Sequence, residues 1–472
     1  MLNILAGDTL GYGVKVIKDI NLNWIGQLIR VLIEGIGVVG VGIIVFTLIL
    51  KTIVLPLDIY SRIKGKKQAL IMERMRPQME KLQKQYANDK TMYNQKVVEL
   101  QRKSGYSMFG ACLPMIVSLV IFIIVFNAFS TYSQYANLKN YNQMVGVYNG
   151  VVQTYVITDD NPDGFLTEVK LDDDSIDYVV DFTKFADHYK KEKAADDGAW
   201  STKTEADVFS ALADEYIAGH TSYDGYFDKS VVNLTSDDSL REDKLTSTAV
   251  AVRNTLVSYY LEGPAALEVK MFYEGGNQKY SKGTNNSFLW VRNLWYPDST
   301  LNRELPSFQK FQSTVSRARI GDDYAESYNK VTAALTSQKK HYNGYFVLIV
   351  LSIGLMLLQQ FISMRANKSV NDLSTVDGSG ARTNRYMLIM MPIIYGIFSF
   401  FYSASFSLYM ITNTVYGIIT MLLVNKCVDI WFKKKEESGQ LDEILTRTAK
   451  KREQRAAARA SAMAARSRGK KR

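Results

Sequence analysis

The stretch VVGVGIIVFTLILKTIVLPL, from Val38 to Leu57, decides the fold. It is apolar enough, and at roughly 20 residues long enough, to cross the hydrocarbon core of a bilayer. Lys51 is its only charged residue, and an ionisable side chain inside a span costs about 3 kcal/mol on insertion scales. Because Lys51 lies close to the end of the run, its ammonium could reach the membrane surface. Position alone therefore leaves two interpretations open: a lysine that snorkels to the surface and a functional interior charge.

Four more apolar runs follow, and together they predict an all-α polytopic membrane protein with five spans. They are Met108–Ser130, Tyr345–Ser363, Tyr386–Phe401 and Ser405–Asn425. The run at 386–401 is short and meets the last one through three residues, so we expect a tight helical hairpin there. The predicted segments are 1–37 (external), 38–57 (span 1), 58–107 (cytoplasmic hairpin), 108–130 (span 2), 131–340 (external insertion), 341–363 (span 3), 364–385 (cytoplasmic loop), 386–425 (spans 4 and 5) and 426–472 (basic tail).

The charge distribution predicts the orientation. Residues 61–107 carry 12 Lys and Arg against 4 Asp and Glu, and residues 426–472 carry 15 against 6. Residues 131–340 carry 22 against 31. Because basic loops stay in the cytoplasm, we expect the N-terminus outside and the C-terminus inside. Residues 1–27 show no cleavable secretory signal. Asn21 to Gly35 has apolar residues at helical spacing, which predicts either an amphipathic helix on the outer surface or an early extension of span 1.

Residues 58–107 predict a cytoplasmic hairpin of two helices that break at Asn88–Lys90. The first helix carries a Met-rich face and a cationic face. Methionine is flexible and polarizable, which suits surfaces that touch many apolar partners. The same residues could also form the seam between the two helices, and we expect both uses. The candidate contact residues of the hairpin are Met72, Met75, Arg76 and Met79.

The residues that could support chemistry are few and scattered. They are Cys112, Cys427, His188, His220, His341 and the acidic run Asp172–Asp174. The cysteines lack metal-ligand spacing, and the acidic run lacks the glycine and terminal glutamate of a calcium loop. The sequence also shows no nucleotide-binding loop and no catalytic constellation. It therefore predicts a protein that is not an enzyme and that binds no metal or cofactor.

Five motifs in order give a resemblance to the YidC/Oxa/Alb family of membrane protein insertases. They are span 1 with its exit, Gly42–Leu57; the hairpin stretches Met72–Met79 and Leu82–Tyr86; Gly110–Met115 at the entry to span 2; Phe288–Trp290 with Leu294 and Pro297–Asp298; and Met391–Pro392 with Leu408–Tyr409 and Asn413. The resemblance that they carry covers about half of the chain, all of it membrane core and hairpin. The resemblance implies a bacterial plasma (inner) membrane protein with a YidC-like five-helix core.

The resemblance also implies a mechanism. Family members hold a polar groove in the inner-leaflet half of the bundle, open to cytoplasm and lipid but closed outside, with a basic residue on span 1 at its centre. That position is Lys51 here. The groove would draw hydrophilic, acidic segments of nascent membrane proteins into the inner leaflet and release their spans into lipid without ATP. Further candidate groove residues are Thr52, Gln359, Gln360, Thr412 and Asn413. Interhelical hydrogen bonding for stability is the alternative for each of these five.

The chain departs from the family pattern at several places. Lysine replaces the usual arginine, which keeps the charge and loses the planar fork. Ser118 stands where glutamine is frequent, and Met410 stands where tryptophan usually follows the tyrosine, so we assign no groove role to Met410. The largest departure is the insertion at 131–340. We expect an α+β domain there, with helices at Lys244–Leu261 and Phe308–Lys340 and strands at Val145–Tyr155 and Leu289–Trp295.

The expected partners are nascent membrane proteins, membrane lipid, the ribosome and the Sec translocon. The basic tail, Thr446–Arg472, could bind ribosomal RNA or anionic lipid, or could only set the topology. The insertion could bind emerging substrate or partner proteins, or could be a passive spacer. The rival function is a transporter or channel in which Lys51 binds an anion and the insertion acts as a receptor. Against it, the sequence shows no repeat of the span 1 pattern and no pair of broken helices.

Overall fold

The computed structural model describes residues 13–104, 108–171, 176–219, 247–275, 286–366, 392–394 and 396–447, with single residues at 390, 450, 454 and 458. The chain divides into two units. The membrane unit comprises residues 22–132, 284–302 and 342–472, and the insert unit comprises residues 1–21, 133–283 and 303–341.

The first helix of the membrane unit is α1, Trp24–Ile36. Asn23 caps it, since its Oδ1 accepts a hydrogen bond from the Gly26 amide at 2.7 Å. Gly37, at a φ of 76°, ends the helix in the left-handed conformation. Its buried apolar residues are Ile25, Ile29 and Ile33, and its exposed ones include Trp24, Leu28 and Val31. This stretch is thus an amphipathic helix separate from span 1, not an extension of it, and its location on the outer surface stays a prediction.

Span 1 and the first helix of the hairpin form one continuous helix, α2, Val39–Gln85. The second hairpin helix is α3, Lys90–Lys103. Asp89 caps α3, because its Oδ1 accepts a hydrogen bond from the Met92 amide at 2.9 Å. The helix break therefore lies where the sequence predicts it. Pro77 lies inside α2 and does not end it.

Helix α4, Met108–Gln153, extends well beyond the predicted end of span 2. The predicted strand at Val145–Tyr155 is therefore wrong. Valine and tyrosine are enriched in strands, which explains the error, but their spacing here is helical. The buried face of this part of α4 recurs every three to four residues, as Leu138, Tyr141, Val145, Tyr148 and Val152.

The insert unit is mainly helical in the part that the structure describes. Strands β1, Leu166–Lys170, and β2, Ile176–Val180, pair antiparallel, with Glu168 opposite Tyr178. The longer helices are α5, Phe182–Ala194; α6, Glu205–Gly219; and α7, Ser247–Glu274. Helix α7 confirms the helix predicted at Lys244–Leu261, although it begins three residues later and runs further. One aromatic-rich core joins these helices to the second half of α4.

Two other predictions for the insertion are wrong. The single helix expected at Phe308–Lys340 is divided into α8, Phe308–Thr314; α9, Ala325–Val331; and α10, Thr336–Lys340. Arg319 adopts a positive φ of 53° between the first two, which a continuous helix does not permit. The strand expected at Leu289–Trp295 is a series of turns, and Leu289 likewise has a positive φ, of 55°.

The later membrane helices are α11, Val347–Ala366, and α12, Ala404–Glu437. Among the described residues, α2, α11 and α12 are long and apolar enough to cross a membrane. Each exposes large apolar side chains as a lipid-facing helix does, for example Ile53, Val350 and Leu423. The predicted all-α membrane fold is confirmed. In the predicted fourth span, residues 390, 392–394 and 396–401 are helical, and residues 386–389, 391 and 395 lie outside the described residues.

Candidate functional site: a polar cavity among the membrane helices

A cavity of about 260 Å³ lies within the membrane unit. Helices α2, α4, α11 and α12 and residue Pro392 all contribute to its wall. The lining residues are Leu50, Lys51, Val54, Ile121, Phe122, Met356, Gln359, Gln360, Pro392, Tyr409, Met410, Asn413 and Thr414. Such a volume can hold several water molecules, and the lining offers them polar partners.

Four of the predicted groove residues meet at this cavity: Lys51, Gln359, Gln360 and Asn413. All four are half-buried. Among the residues that the structure describes, none of the four is hydrogen-bonded or salt-bridged to another side chain. Buried polar groups in membrane helices usually pair with one another, so an ammonium and three amides without such partners can bind a polar guest.

The other two predicted groove residues are placed differently. Thr52 is exposed and donates its hydroxyl to the Leu48 carbonyl at 2.8 Å. Thr412 donates to the Leu408 carbonyl at 2.9 Å. Each hydroxyl is thus satisfied within its own helix, as threonine often is in membrane helices. Neither threonine lines the cavity.

Several lining residues escaped the sequence analysis. Met410, to which we assigned no role, is in the wall, and so are Tyr409 and Met356. Helical spacing could have indicated two of them, since Met356 is one turn before Gln359 and Tyr409 is one turn before Asn413. The wall also includes apolar residues from α4, and no pattern within one helix predicts which neighbouring helix will contribute them.

A buried aromatic layer borders the cavity. Phe46 and Phe129 meet edge to face with centroids 5.5 Å apart, and Phe129 lies 5.2 Å from Tyr409. Phe46 precedes Lys51 along α2, and Phe406 precedes the lining residues of α12. The aromatic layer therefore lies toward the N-termini of α2 and α12, the side that the charge distribution predicts to be external. All four rings are almost fully buried.

The position of Gln359 is set by a glycine on the neighbouring helix. A Cβ atom added at Gly417 of α12 would lie 2.6 Å from Nε2 of Gln359. That distance is shorter than van der Waals contact, so the glutamine occupies space that only glycine leaves free. Close packing of α11 on α12 thus orients one amide of the cavity.

The hairpin methionines are buried in this structure. Met72, Met75 and Met79 belong to a hydrophobic cluster with Ile71. The residues that cover them come from the C-terminal end of α12 and the helical stretch at 441–447: Val428, Phe432, Leu441 and Leu445. Arg76 is exposed and pairs with Glu80 at 3.1 Å. Substrate contact by these methionines stays a prediction, and it requires the covering residues to move.

The cover is attached by charge as well as by packing. Arg74 Nη2 lies 2.6 Å from Asp442 Oδ1, and Lys66 Nζ lies 2.7 Å from Asp429 Oδ1. Gly439, at a φ of 70°, lets the chain turn back after α12. Exposed ion pairs contribute little individually, so the apolar contacts provide most of the stability.

The remaining sequence candidates that the structure describes do not form a site. His188 packs among aromatic rings of the insert unit, and His341 lies 3.3 Å from Glu304. Cys427 is a free, exposed thiol. His220, Asp172–Asp174, the Cys112 side chain and most of residues 446–472 lie outside the described residues.

Comparison with known proteins identifies the family. The profile of the family described as "60Kd inner membrane protein" matches residues 31–155 and 270–433, more than half of the chain. The intervening residues, 156–269, fall within the predicted insertion. The matched residues include every residue that lines the cavity.

Individual relatives are similar over shorter stretches. The chain is 38% identical over 91 residues to "Membrane protein insertase YidC" of Fusobacterium nucleatum, covering 19% of this chain and 42% of the relative. It is 32% identical over 113 residues to the protein of the same name from Caldanaerobacter subterraneus, covering 24% and 53%. It is 30% identical over 139 residues to that of Clostridium tetani, covering 28% and 61%.

These matches cover at most about three fifths of the relatives' own length. No solved structure matches the chain. The family match and the three long apolar helices establish a multi-pass protein of a bacterial inner membrane. The resemblance to the YidC/Oxa group is confirmed. The chain belongs to the 60Kd inner membrane protein family.

Proposed function

We propose that this protein is a membrane protein insertase that takes hydrophilic segments of nascent membrane proteins into the cavity around Lys51. The observation that carries the proposal is the convergence of Lys51, Gln359, Gln360 and Asn413 at one cavity without side-chain partners among the described residues. The names of the relatives support the same function.

The physical basis is the cost of moving polar groups into a membrane. A hydrated acidic segment that enters the cavity exchanges water for an ammonium and three amides, so less solvation is lost. Attraction between Lys51 and a substrate carboxylate is stronger here than in water, because the surroundings are less polar. The segment then has a shorter distance of hydrocarbon left to cross.

Release follows from the substrate's own apolar span. Once its hydrophilic segment is in the cavity, the span can partition from the lipid-exposed side of the helices into the bilayer. Burying that span in hydrocarbon is strongly favourable, so no nucleotide or cofactor is needed for this step. The aromatic layer would keep the cavity closed on the opposite side during transfer. We expect ribosome contact through the basic tail and cooperation with the Sec translocon to assist delivery.

The test is insertion into liposomes that contain only the purified protein. The substrate is a small single-span protein with an acidic external tail. We expect Lys51→Ala to lower the insertion rate by about tenfold, equivalent to about 1.4 kcal/mol of lost attraction. Lys51→Arg should retain most of the rate, because the charge is kept. Lys64→Ala is the matched control, since Lys64 is an exposed lysine on the same helix.

Three other outcomes are informative. Insertion that is unchanged by Lys51→Ala would mean that the charge is a snorkelling residue and that the cavity acts without it. Equal losses in the Lys51 and Lys64 variants would indicate a general effect of positive charge. No insertion above that of empty liposomes would reject the insertase function and direct the next experiment to anion flux through the alternative transporter.

A further inference from the structure

The segment at residues 286–302, here called the outer clamp, contacts the beginning of two membrane helices. Asp298 belongs to it and is fully buried. The Asp298 carboxylate accepts hydrogen bonds from the Tyr345 amide at 2.7 Å and the Leu348 amide at 2.6 Å. Trp290 Nε1 donates to the same carboxylate at 3.4 Å. Asp298 therefore caps α11 from about 50 residues earlier in the chain, where a negative charge stabilises the helix N-terminus.

Asn343 joins the outer clamp to the residues that precede α11. Its Nδ2 donates to the carbonyls of Asn293, Tyr296 and Pro297 at 2.9, 3.1 and 2.9 Å. Its Oδ1 accepts from the Asn293 amide at 2.8 Å. This fully buried side chain thus uses both its donor and its acceptor on the backbone of the outer clamp.

The same segment holds the beginning of α12. The Ala404 amide donates to the Tyr296 carbonyl and the Ser405 amide donates to the Leu294 carbonyl, each at 2.9 Å. The first amides of a helix have no partner within the helix, and here the outer clamp provides one. One short segment therefore fixes the starting points of both α11 and α12.

These two helices carry most of the polar cavity wall. Helix α11 contributes Gln359 and Gln360, and α12 contributes Tyr409 and Asn413. A helix rises 1.5 Å per residue, so the position of its first turn sets the positions of the residues that follow it. The starting point of each helix thereby determines which side chains face the cavity and how closely the two helices approach beyond the aromatic layer.

We infer that Asp298 and Asn343 are positioning residues for the cavity, which hold α11 and α12 together at their N-terminal ends and keep the cavity closed on that side. The inference rests on the proposed function where it concerns substrate. Its structural part, closure at the N-terminal ends, can be tested independently of insertion.

Gly344 provides a second way to disturb the same contact. A Cβ atom at this position would overlap Asp298 Oδ1 and lie 3.0 Å from the Cα of Asp298. Gly344→Ala must therefore displace the carboxylate from the α11 amides. Asp298→Asn keeps the size of the side chain and removes its charge, and Trp290→Phe removes one donor only.

The experiment measures access to the cavity from outside intact spheroplasts. The full chain carries Cys112→Ser, Cys427→Ser and a reporter thiol from Met410→Cys in the cavity wall. A membrane-impermeant maleimide is added outside. We expect Asp298→Asn and Gly344→Ala to raise the labelling rate about tenfold, because losing charge-assisted bonds favours local opening. Trp290→Phe should raise it less. Asp177→Asn is the control. The buried Asp177 carboxylate also accepts hydrogen bonds from two backbone amides, but it belongs to the insert unit.

Labelling equal to that of the parent in folded Asp298→Asn would overturn the inference. If neither that variant nor Gly344→Ala accumulates as folded protein, Trp290→Phe decides, and its labelling must still exceed that of Asp177→Asn. A purely stabilising role would lower the melting temperature of the Asp298 variants without changing outside access, and this result would also overturn the inference. If labelling follows the expected order but the parent inserts no substrate, the proposed function fails and the positioning role stands.

Discussion

Each of the two units contains a buried or half-buried cation, and the two cations differ in the partners that surround them. In the insert unit, the Arg253 side chain is 5% exposed, lies 2.6 Å from the Glu205 carboxylate and stacks on Phe209 with its guanidinium carbon 4.6 Å from the ring centroid. In the membrane unit, Lys51 lines a cavity and forms no hydrogen bond or salt bridge with any described side chain.

This difference in partners distinguishes a charge that stabilises the fold from a charge that is available to bind a guest. Breaking a buried ion pair is costly, so a charge with partners such as those of Arg253 stabilises one conformation of its surroundings. A charge that faces a cavity stabilises whatever enters it. Arg253 is buried and Lys51 is half-buried, and their partners show which charge is available.

Replacing the two cations should have opposite consequences. We expect Arg253→Met to lower the free energy of unfolding of the insert unit by about 3–5 kcal/mol, because Glu205 is left without its counter-charge. Lys51→Met should leave stability unchanged or raise it. Hydrogen exchange in α6, α7 and α2 measures both effects. Adding Glu205→Gln to Arg253→Met should recover part of the loss. Equal destabilisation by the two single variants would contradict the contrast.

The second prediction concerns the cover over the hairpin methionines. Leu445→Ala should destabilise the packing of residues 441–447 on α2 by about 2–3 kcal/mol, since Leu445 is almost fully buried. Met75, buried in the parent, should then be oxidised faster by hydrogen peroxide, which mass spectrometry detects. Val98→Ala removes an exposed residue of α3 and serves as the control. Equal oxidation of Met75 in the parent and Leu445→Ala would show that these residues do not protect it.

The third substitution displaces the side-chain amide of Gln359, which lines the cavity. Gly417→Ala should displace Gln359 and lower the insertion rate severalfold while the protein stays folded, because the new methyl group occupies the space of the amide. Gly354→Ala is the control, because nothing lies within 4 Å of the corresponding Cβ on α11. Insertion that is insensitive to Gly417→Ala would remove Gln359 from the set of functional groups.

The smallest effect should be a pH dependence confined to the insert unit. His188 packs against Phe165 and Tyr155, and this burial lowers the pKa of its imidazole below 6.5. The folded protein therefore binds the proton less well than the unfolded chain does. Its stabilising contribution is complete above pH 6.5 and declines as the pH falls below that value.

His188→Gln should flatten this decline in the insert unit. Two neighbouring charges also affect the pKa of the imidazole. Glu192 raises it and Lys191 lowers it, each by less than burial does. Hydrogen exchange of α5 between pH 7 and pH 5 provides the measurement. A decline of the same slope in the parent and in His188→Gln would assign the pH dependence to other groups.

The predictions from the sequence are confirmed where they depend on the residues of a single helix. The apolar run around Lys51, the spacing of Ile25, Ile29 and Ile33 in α1 and the break before α3 are local patterns, and the structure has each of them. Local reasoning failed at Val145–Tyr155. The residue types there favour strands, but packing of the insert core on one face of α4 continues the helix.

The cavity shows the same division. Lys51, Gln359, Gln360 and Asn413 could be found because polar residues in apolar spans are conspicuous. Thr52 and Thr412 are equally conspicuous, yet their hydroxyls are satisfied within their own helices. No property of the sequence distinguished these cases, because the difference depends on which face each helix turns toward its neighbours.

The amino-acid sequence alone indicates that this protein spans a membrane with helices, because apolar length and the spacing of polar residues are properties of single segments. The resemblance of its motifs also placed it in the right family. The tertiary structure determines which polar groups meet at the cavity and which residues cover the hairpin methionines. It also placed Asp298 at the N-terminus of a helix about 50 residues away. These contacts join segments that are distant in the chain, and their energy depends on geometry that no local pattern contains.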